Sequence, residues 1–265
     1  MITQLISDAR KIIVKFGSNT LANKDGRMNS GFLSEFADQT AELVKSGKQL
    51  VIVSSGAQVG GLSIIGKWAR KQDLHYKQAL CAVGQVELMD AWRRAFEPYG
   101  LHIGQILLTR EDFGDPTRTL NMRNTIFTLV DEGIIPIINE NDTVSVEEIK
   151  IGDNDNLAAH SAILWGADLL ILFSDIDGLY DKNPKEFHDA KLLEEVCDIE
   201  EVRKNISIGE TSDFGTGGIA TKLQAAQRAS KYGIPTILAH GGRPRCLQAL
   251  AEGTQKGTAF LAKNR

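Results

Sequence analysis

Acidic and amide side chains crowd two short segments of the sequence, residues 139–142 and residues 153–156. Between them, residues 144–151 (VSVEEIKI) partly alternate apolar and polar types, a pattern typical of a short hairpin that would bring the two segments together. Each unpaired buried polar group costs about 1–3 kcal/mol. A cluster with this number of carboxylates and amides therefore cannot form a core. Two interpretations stay open: polar loops that cap a strand and a helix, or a site for a small polar molecule with an amino group.

Two lysines favour phosphate chemistry. Lys15 lies in the otherwise apolar segment KIIVKF, where its ammonium is costly unless an anion or a carboxylate meets it; the alternative is a strand-end lysine that reaches solvent. Lys222 ends the glycine-rich segment FGTGGIATK (214–222), whose backbone N–H groups and helix dipole suit a polyphosphate, although a flexible connector has a similar composition. Phosphoryl transfer needs such positioned positive charge. Asp155 could hold both lysines in place, or it could be only a helix N-cap.

Two common phosphate-binding motifs are missing from the sequence. The nearest match to GxxxxGK[ST] is at residues 61–67, where Trp68 replaces the hydroxyl residue, and GxGxxG does not occur. The five histidines show no metal-ligand spacing. The acidic residues between positions 194 and 201 are expected to form a solvated surface.

Composition excludes several classes of protein. A formal net charge of −4 and a pI of about 5.8 argue against nonspecific nucleic-acid binding, which needs a basic surface. Three widely spaced cysteines without a CxxC pair predict neither a zinc site nor a disulfide framework, and they fit a reducing compartment. No apolar run approaches the ~18 residues of a membrane span. The sequence therefore predicts a cytoplasmic protein without a membrane or nucleic-acid partner.

Apolar segments alternate with amphipathic ones, which predicts a mainly parallel sheet covered by helices on both faces. The predicted strands are residues 11–16, 49–53, 103–108, 134–138, 169–173 and 237–240. The predicted helices are residues 30–45, 73–96, 121–132, 155–165, 218–231 and 245–250. Small and polar residues (GSNT, SSGA, NEND and SDIDG) follow four of the strands. Since ligands bind beyond the carboxyl ends of such strands, we expect a binding crevice at that edge.

The motifs KFGSNTL, VIVSSGAQVGG, AVGQ, LLTRED, INENDTV, KIGDNDNLAA, SDIDGLY and FGTGGIATKLQAA occur in this order along nearly the whole chain. With them the chain resembles the amino acid kinase family, in particular its members that phosphorylate glutamate. The resemblance implies a three-layer α/β/α sandwich around a mainly parallel sheet, as one domain over residues 1–265. It implies an N-terminal lobe of about residues 1–165 for the amino acid and a C-terminal lobe of about residues 166–265 for ATP. The expected reaction is phosphorylation of the γ-carboxylate of L-glutamate by MgATP, the first step towards proline.

The resemblance also implies roles for individual residues. By motif position, Lys15 and Lys222 are similar to the two lysines that stabilise the transferring phosphoryl group, and Asp155 to the carboxylate that orients them. The expected glutamate ligands are Ser55, Asp142 and Asn154, with Asp142 suited to the α-ammonium group. The expected nucleotide-binding residues are Lys15, Ser174, Asp175, Thr216, Gly217, Gly218, Ile219, Ala220, Thr221 and Lys222. Magnesium is expected to be held mainly by ATP phosphates, so no protein metal ligand is assigned.

Some features depart from the family pattern or leave alternatives open. Asn19 and Ser174 stand where relatives often carry serine and threonine. Since the sequence stops at Arg265, we expect a form that lacks the C-terminal RNA-modification-like domain of many relatives. A homo-oligomer (dimer or tetramer) and feedback inhibition by proline are family expectations. The alternatives are a family member acting on N-acetylglutamate, aspartate or carbamate, and a non-catalytic amino-acid or nucleotide sensor. Asp142 argues against N-acetylglutamate, whose amino group is capped, and the retained Lys15, Lys222 and Asp155 argue against a sensor.

Overall fold

A single sheet runs through the centre of the computed structural model, which describes residues 1–23, 26–66, 73–145, 154–184, 186–205 and 218–262. Within these residues the strands are β1 (Lys11–Phe16), β2 (Gln49–Ser54), β3 (Ile103–Leu108), β4 (Ile135–Glu140), β5 (Leu169–Ser174), β6 (Glu195–Val196), β7 (Thr236–His240) and β8 (Gly257–Phe260). Their order across the sheet is β3-β4-β2-β1-β5-β7-β8-β6. Every neighbouring pair is parallel except β7 and β8. The prediction of a mainly parallel sheet is therefore confirmed.

Helices connect and cover the strands. They are α1 (Ile2–Asp8), α2 (Ser18–Leu21), α3 (Ser30–Lys45), α4 (Ala57–Ile65), α5 (Leu74–Phe96), α6 (Pro116–Asp131), α7 (Asn154–Trp165), α8 (Ile199–Asn205), α9 (Ile219–Ser230) and α10 (Cys246–Glu252). Two short 3₁₀ segments, Glu97–Tyr99 and Arg110–Gly114, follow α5 and β3. No helix among the described residues has both the length and the apolar character needed to cross a bilayer.

The alternation of side chains along β1 divides the core into two layers. Ile12, Val14 and Phe16 face a layer built from α1, α3, α5 and α10. Ile13 faces the opposite layer, built from α6, α7, α8 and α9. Successive side chains of a strand point to opposite faces, so Lys15 is directed towards the layer that contains α7. The three-layer α/β/α arrangement matches the predicted fold class.

Aromatic rings fill the layer opposite Lys15. Phe16 stacks on Phe173 of β5 with ring centroids 5.1 Å apart, and it meets Phe36 of α3 edge-on at 4.6 Å. Trp92 of α5 is fully buried beside them and meets Phe36 edge-on. This layer fixes the carboxyl ends of β1 and β5 relative to each other, and those ends carry candidate site residues.

Several elements differ from the sequence prediction. Helix α6 begins at Pro116 rather than residue 121, because Asp115 caps its N-terminus by accepting a hydrogen bond from the Arg118 N–H. Strand β4 continues through Asn139 and Glu140, beyond the predicted end at residue 138, because both pair in register with the end of β3. Six elements are not predicted from the sequence: α1, α2, α4, α8, β6 and β8. Most of the predicted hairpin at residues 144–151 lies outside the described residues.

Helix α4 packs unusually close to α5. A Cβ atom built on Gly84 of α5 would lie only 1.7 Å from the Ala57 carbonyl oxygen and 2.1 Å from the Gly61 nitrogen of α4. A Cβ on Gly61 would lie 1.9 Å from the Leu80 carbonyl oxygen. Glycine is thus required where the two backbones touch, and this contact holds α4 and α5 in one relative position.

Candidate active site

Lys15, Asp155 and Lys222 meet at the carboxyl edge of the sheet. Lys15 Nζ lies 2.6 Å from Asp155 Oδ1, and Lys222 Nζ lies 3.0 Å from Asp155 Oδ2. The Thr221 hydroxyl donates to the same Oδ2 at 2.8 Å. Strand β1, the first turn of α7 and the first turn of α9 therefore converge on one carboxylate.

Burial sets the electrostatics of this cluster. Asp155 is 0% exposed, and Lys15 and Lys222 are each 5% exposed, so Lys15 does not reach solvent and Asp155 is more than a helix cap. Burial alone would raise the pKa of Asp155, but the charges of Lys15 and Lys222 outweigh it and lower the pKa to about 2. Burial lowers the pKa of Lys222, against the opposing attraction of Asp155. Two ammonium groups on one carboxylate leave a local excess of positive charge in a chain whose net charge is negative.

Amide side chains form a second group beside the first. Asn154, the neighbour of Asp155, donates from Nδ2 to Ser55 Oγ at 2.7 Å and to Asn139 Oδ1 at 3.0 Å. Asn139 in turn donates from Nδ2 to Gln85 Oε1 at 2.8 Å. Two of the predicted glutamate ligands, Ser55 and Asn154, are thus in direct contact.

A tight turn positions Ser55. The indole N–H of Trp92 donates to Ser54 Oγ at 3.0 Å, and Ser54 Oγ donates to the Ser55 carbonyl at 3.0 Å. Gly56 follows with φ of 108°, a left-handed conformation that favours glycine, and α4 begins at the next residue. The SSGA segment therefore has a structural requirement for its glycine and its first serine, while Ser55 is left to face the site.

A cavity of about 370 Å³ lies next to the amide group. Its lining includes Cys81, Gln85, Glu140 and Asp142. Burial raises the pKa of the Cys81 thiol well above its usual range, and the adjacent Asp142 carboxylate adds to that effect. The third predicted glutamate ligand, Asp142, therefore lies on the wall of a cavity that shares Gln85 with the amide group.

The predicted nucleotide residues lie at the ends of β5 and α9. Ser174 Oγ donates to Asp175 Oδ1 at 3.1 Å, and the Gly241 N–H donates to the Ser174 carbonyl at 2.8 Å. Gly218 is the N-cap residue of α9, with Ile219, Ala220, Thr221 and Lys222 in its first turn. Thr216 and Gly217 fall outside the described residues.

The described side chains do not form a protein metal site. Among them, no group of three or more His, Cys, Asp or Glu side chains is arranged to hold a metal ion. Asp155 is paired with two ammonium groups and is poorly suited to act as a metal ligand.

Sequence reasoning did not single out every residue of the site. Asn139 and Gln85 join the amide group although neither was assigned a role, and Thr221 proves to be a partner of Asp155. Asn139 could have been found from the INEND motif, and Gln85 from AVGQ. Their contact with each other depends on how β4 and α5 pack, which local sequence does not reveal.

A mainly parallel sheet between two helical layers, with a buried Lys–Asp–Lys cluster at its carboxyl edge, defines a protein of the amino acid kinase type. The chain belongs to the amino acid kinase family, whose model matches residues 10–240, and the predicted resemblance is confirmed.

Among its relatives, glutamate 5-kinase of Alkaliphilus metalliredigens is 62% identical over 262 residues, covering 99% of each chain. Glutamate 5-kinase of Geobacter sulfurreducens is 44% identical over 257 residues, which cover 97% of this chain and 69% of the relative. Two solved structures have similar folds. UMP kinase from Ureaplasma parvum has a TM-score of 0.66 at 16% identity, covering 95% of this chain and 98% of its own. Isopentenyl phosphate kinase has a TM-score of 0.64 at 17% identity, covering 94% and 99%.

Proposed function

We propose that this protein transfers the γ-phosphoryl group of ATP to the γ-carboxylate of L-glutamate, giving γ-glutamyl phosphate for proline biosynthesis. The observation that carries the proposal is the buried Lys15–Asp155–Lys222 cluster, in a chain 62% identical to a glutamate 5-kinase. Similarity to a glutamate 5-kinase favours L-glutamate as the substrate, and the buried lysine–aspartate cluster favours phosphoryl transfer as the reaction.

The residues of the cluster suit a direct phosphoryl transfer. A carboxylate oxygen of the substrate would bond to the γ-phosphorus while the bond to the β–γ bridging oxygen breaks and ADP leaves. The substrate carboxylate is ionised at pH 7, so the transfer needs no general base. The protein's task is positioning and charge stabilisation, for which Lys15 and Lys222 supply the positive charge and Asp155 the orientation.

The amino-acid end of the site is proposed to include Ser55, Asn154 and Asp142. Ser55 and Asn154 touch each other beside the lysine cluster, where they can orient the substrate next to the reacting group. Asp142 lies on the wall of the adjoining cavity, where its carboxylate suits the α-ammonium group of an amino acid. An N-acetylated substrate lacks that charge, so this arrangement favours free glutamate.

The nucleotide is proposed to lie against Ser174, Asp175 and the segment from Thr216 to Lys222. In the described part of that segment, the N-terminus of α9 presents backbone N–H groups and a favourable dipole. Magnesium is proposed to be held mainly by the ATP phosphates, as is usual for this small, strongly hydrated cation at nucleotide sites.

The proposal gives each lobe of the domain a task. Residues 1–165 would hold the amino acid and residues 166–265 the nucleotide, with Lys15 and Lys222 contributed from the two sides.

We propose that the enzyme works in the cytoplasm as a homo-oligomer, a dimer or a tetramer. Exposed apolar side chains such as Ile64 of α4 and Val86 of α5 offer a candidate contact. Proline, which has the same α-carboxylate and a similar charged nitrogen, would compete for the amino-acid site.

The proposal is tested by following ADP release with MgATP and a panel of L-glutamate, N-acetylglutamate, L-aspartate and carbamate. Hydroxylamine is added to trap any acyl phosphate as a hydroxamate. Turnover and hydroxamate with L-glutamate alone are the expected result. Turnover with a different acid would overturn the substrate assignment, and ATP binding without any turnover would overturn the enzymatic function.

A further inference from the structure

The amide hydrogen bonds beside the lysine cluster have a defined direction. Asn154 uses Nδ2 for both Ser55 Oγ and Asn139 Oδ1, so its own Oδ1 is directed elsewhere. Asn139 can accept from Asn154 through Oδ1 only if its Nδ2 points the other way, towards Gln85. The Gln85 Oε1 atom is the acceptor that ends this chain of hydrogen bonds.

Gln85 has no competing partner among the described residues. Its Nε2 is buried and makes no hydrogen bond there. Gln85 therefore makes its hydrogen bond through the acceptor Oε1, and this contact sets the orientation of the Asn139 amide.

The backbone fixes both ends of the chain of hydrogen bonds. Gly84, the residue before Gln85, is in backbone contact with Gly61 and Ala57 of α4. Helix α4 begins two residues after Ser55, which is the other end of the chain. The hydrogen bonds run from Ser55 through Asn154 and Asn139 to Gln85. The packing of α4 on α5 therefore fixes the two end residues relative to each other.

We propose that Gln85 is a positioning residue for the amino-acid substrate, acting through Asn139 to set the orientation of the Asn154 amide. This inference rests on the proposed function, because Asn154 is assigned there as a glutamate ligand. If Gln85 lost its acceptor, the Asn139 amide could rotate, Asn154 Nδ2 would face a donor instead of an acceptor, and Asn154 would lose its single orientation. The lysine cluster shares none of these hydrogen bonds, so ATP binding would be spared.

Two substitutions distinguish the loss of the hydrogen-bond acceptor from a change in the size of the side chain. Gln85→Met keeps a similar length but removes the acceptor. We expect it to raise the KM for L-glutamate about tenfold or more, while kcat and the KM for ATP change less than about threefold. Gln85→Glu keeps an oxygen for Asn139 but adds a carboxylate to a cavity that Glu140 and Asp142 also line, so it is expected to raise the KM for L-glutamate, though clearly less than Gln85→Met does. Equal effects of the two variants would overturn the proposal.

A double-mutant cycle tests whether Gln85 acts through Asn154. In an Asn154→Ala background, Gln85→Met is expected to change the KM for L-glutamate by less than about twofold, because the amide that it orients is gone. The same change in both backgrounds would overturn the proposal and leave Gln85 with a purely structural role. Failure of the proposed function is distinguishable, since wild-type protein would then give no hydroxamate with L-glutamate.

Discussion

Lys15 and Asp155 form a buried ion pair, 2.6 Å between Nζ and Oδ1, that joins the central strand β1 to the first turn of α7. Neither charge is exposed to bulk water by more than a few per cent, with 5% of Lys15 and 0% of Asp155 accessible. Lys222 completes the cluster from α9 on the second carboxylate oxygen. A buried cluster with two cations and one anion retains one unit of positive charge, which an anionic ligand would neutralise.

This charge balance predicts different stabilities for two variants of the cluster. Asp155→Asn leaves two buried ammonium groups without their carboxylate and is expected to lower the free energy of unfolding by about 3–5 kcal/mol. Lys222→Met leaves the neutral Lys15–Asp155 pair and is expected to cost less than about 2 kcal/mol. Urea unfolding monitored by circular dichroism measures both values. Equal losses would show that the charge balance does not determine stability here.

The contact between α4 and α5 predicts an effect of a single methyl group. Gly84→Ala places a Cβ at 1.7 Å from the Ala57 carbonyl oxygen, so the two helices must separate. The free energy of unfolding is expected to fall by about 1–3 kcal/mol or more, as at other overpacked sites. Gly114→Ala is the matched control, because a Cβ there meets no atom within 4 Å. The melting temperatures of the two variants give the comparison, and a similar decrease in both would contradict the close packing.

His160 predicts a pH dependence of stability. Burial and the nearby charges of Arg228 and Arg110 lower the pKa of His160 from 6.5 to about 4, and its ring stacks on Phe113 at 4.8 Å. The folded state therefore favours the neutral imidazole, and the stability it contributes is complete above the unfolded pKa of 6.5 and is lost as the pH falls towards 4.

His160→Gln should reduce the loss of unfolding free energy between pH 7 and pH 5 by about 1 kcal/mol, after allowance for solvent screening. Urea unfolding at the two pH values is the measurement. The same substitution at the exposed His188 is the control for the loss of an imidazole. An unchanged slope in His160→Gln would show that another group titrates.

Much of the fold could be predicted because local patterns determine it. The apolar segment KIIVKF gives β1 with its observed bounds, and Asn29 caps α3 at the expected start by accepting a hydrogen bond from the Phe32 N–H. Helix α4 was missed because Gly60 and Gly61 are poor helix formers, and only contact with α5 accounts for them. Strands β6 and β8 have two and four residues, too few to show a period.

The candidate site could be predicted only in part. The position of Lys15 in an apolar strand indicates that it needs an anionic partner, but Asp155 becomes that partner only through the packing of α7 on β1. Asn139 could not be placed from its polarity, because a polar residue at a strand end resembles the start of a loop. Register pairing with Leu107 keeps it in β4 and directs its amide to Asn154 and Gln85.

The most direct test of the account is the effect of Lys222→Met on acyl phosphate formation, measured as hydroxamate with L-glutamate and MgATP. We expect kcat to fall by about 10³-fold or more, while ATP affinity, measured by calorimetry, changes less than about tenfold. Lys231→Met, at the exposed C-terminal end of the same helix, is the control and should retain wild-type turnover. Substantial turnover by Lys222→Met would contradict the central claim that the buried Lys15–Asp155–Lys222 cluster stabilises the transferring phosphoryl group.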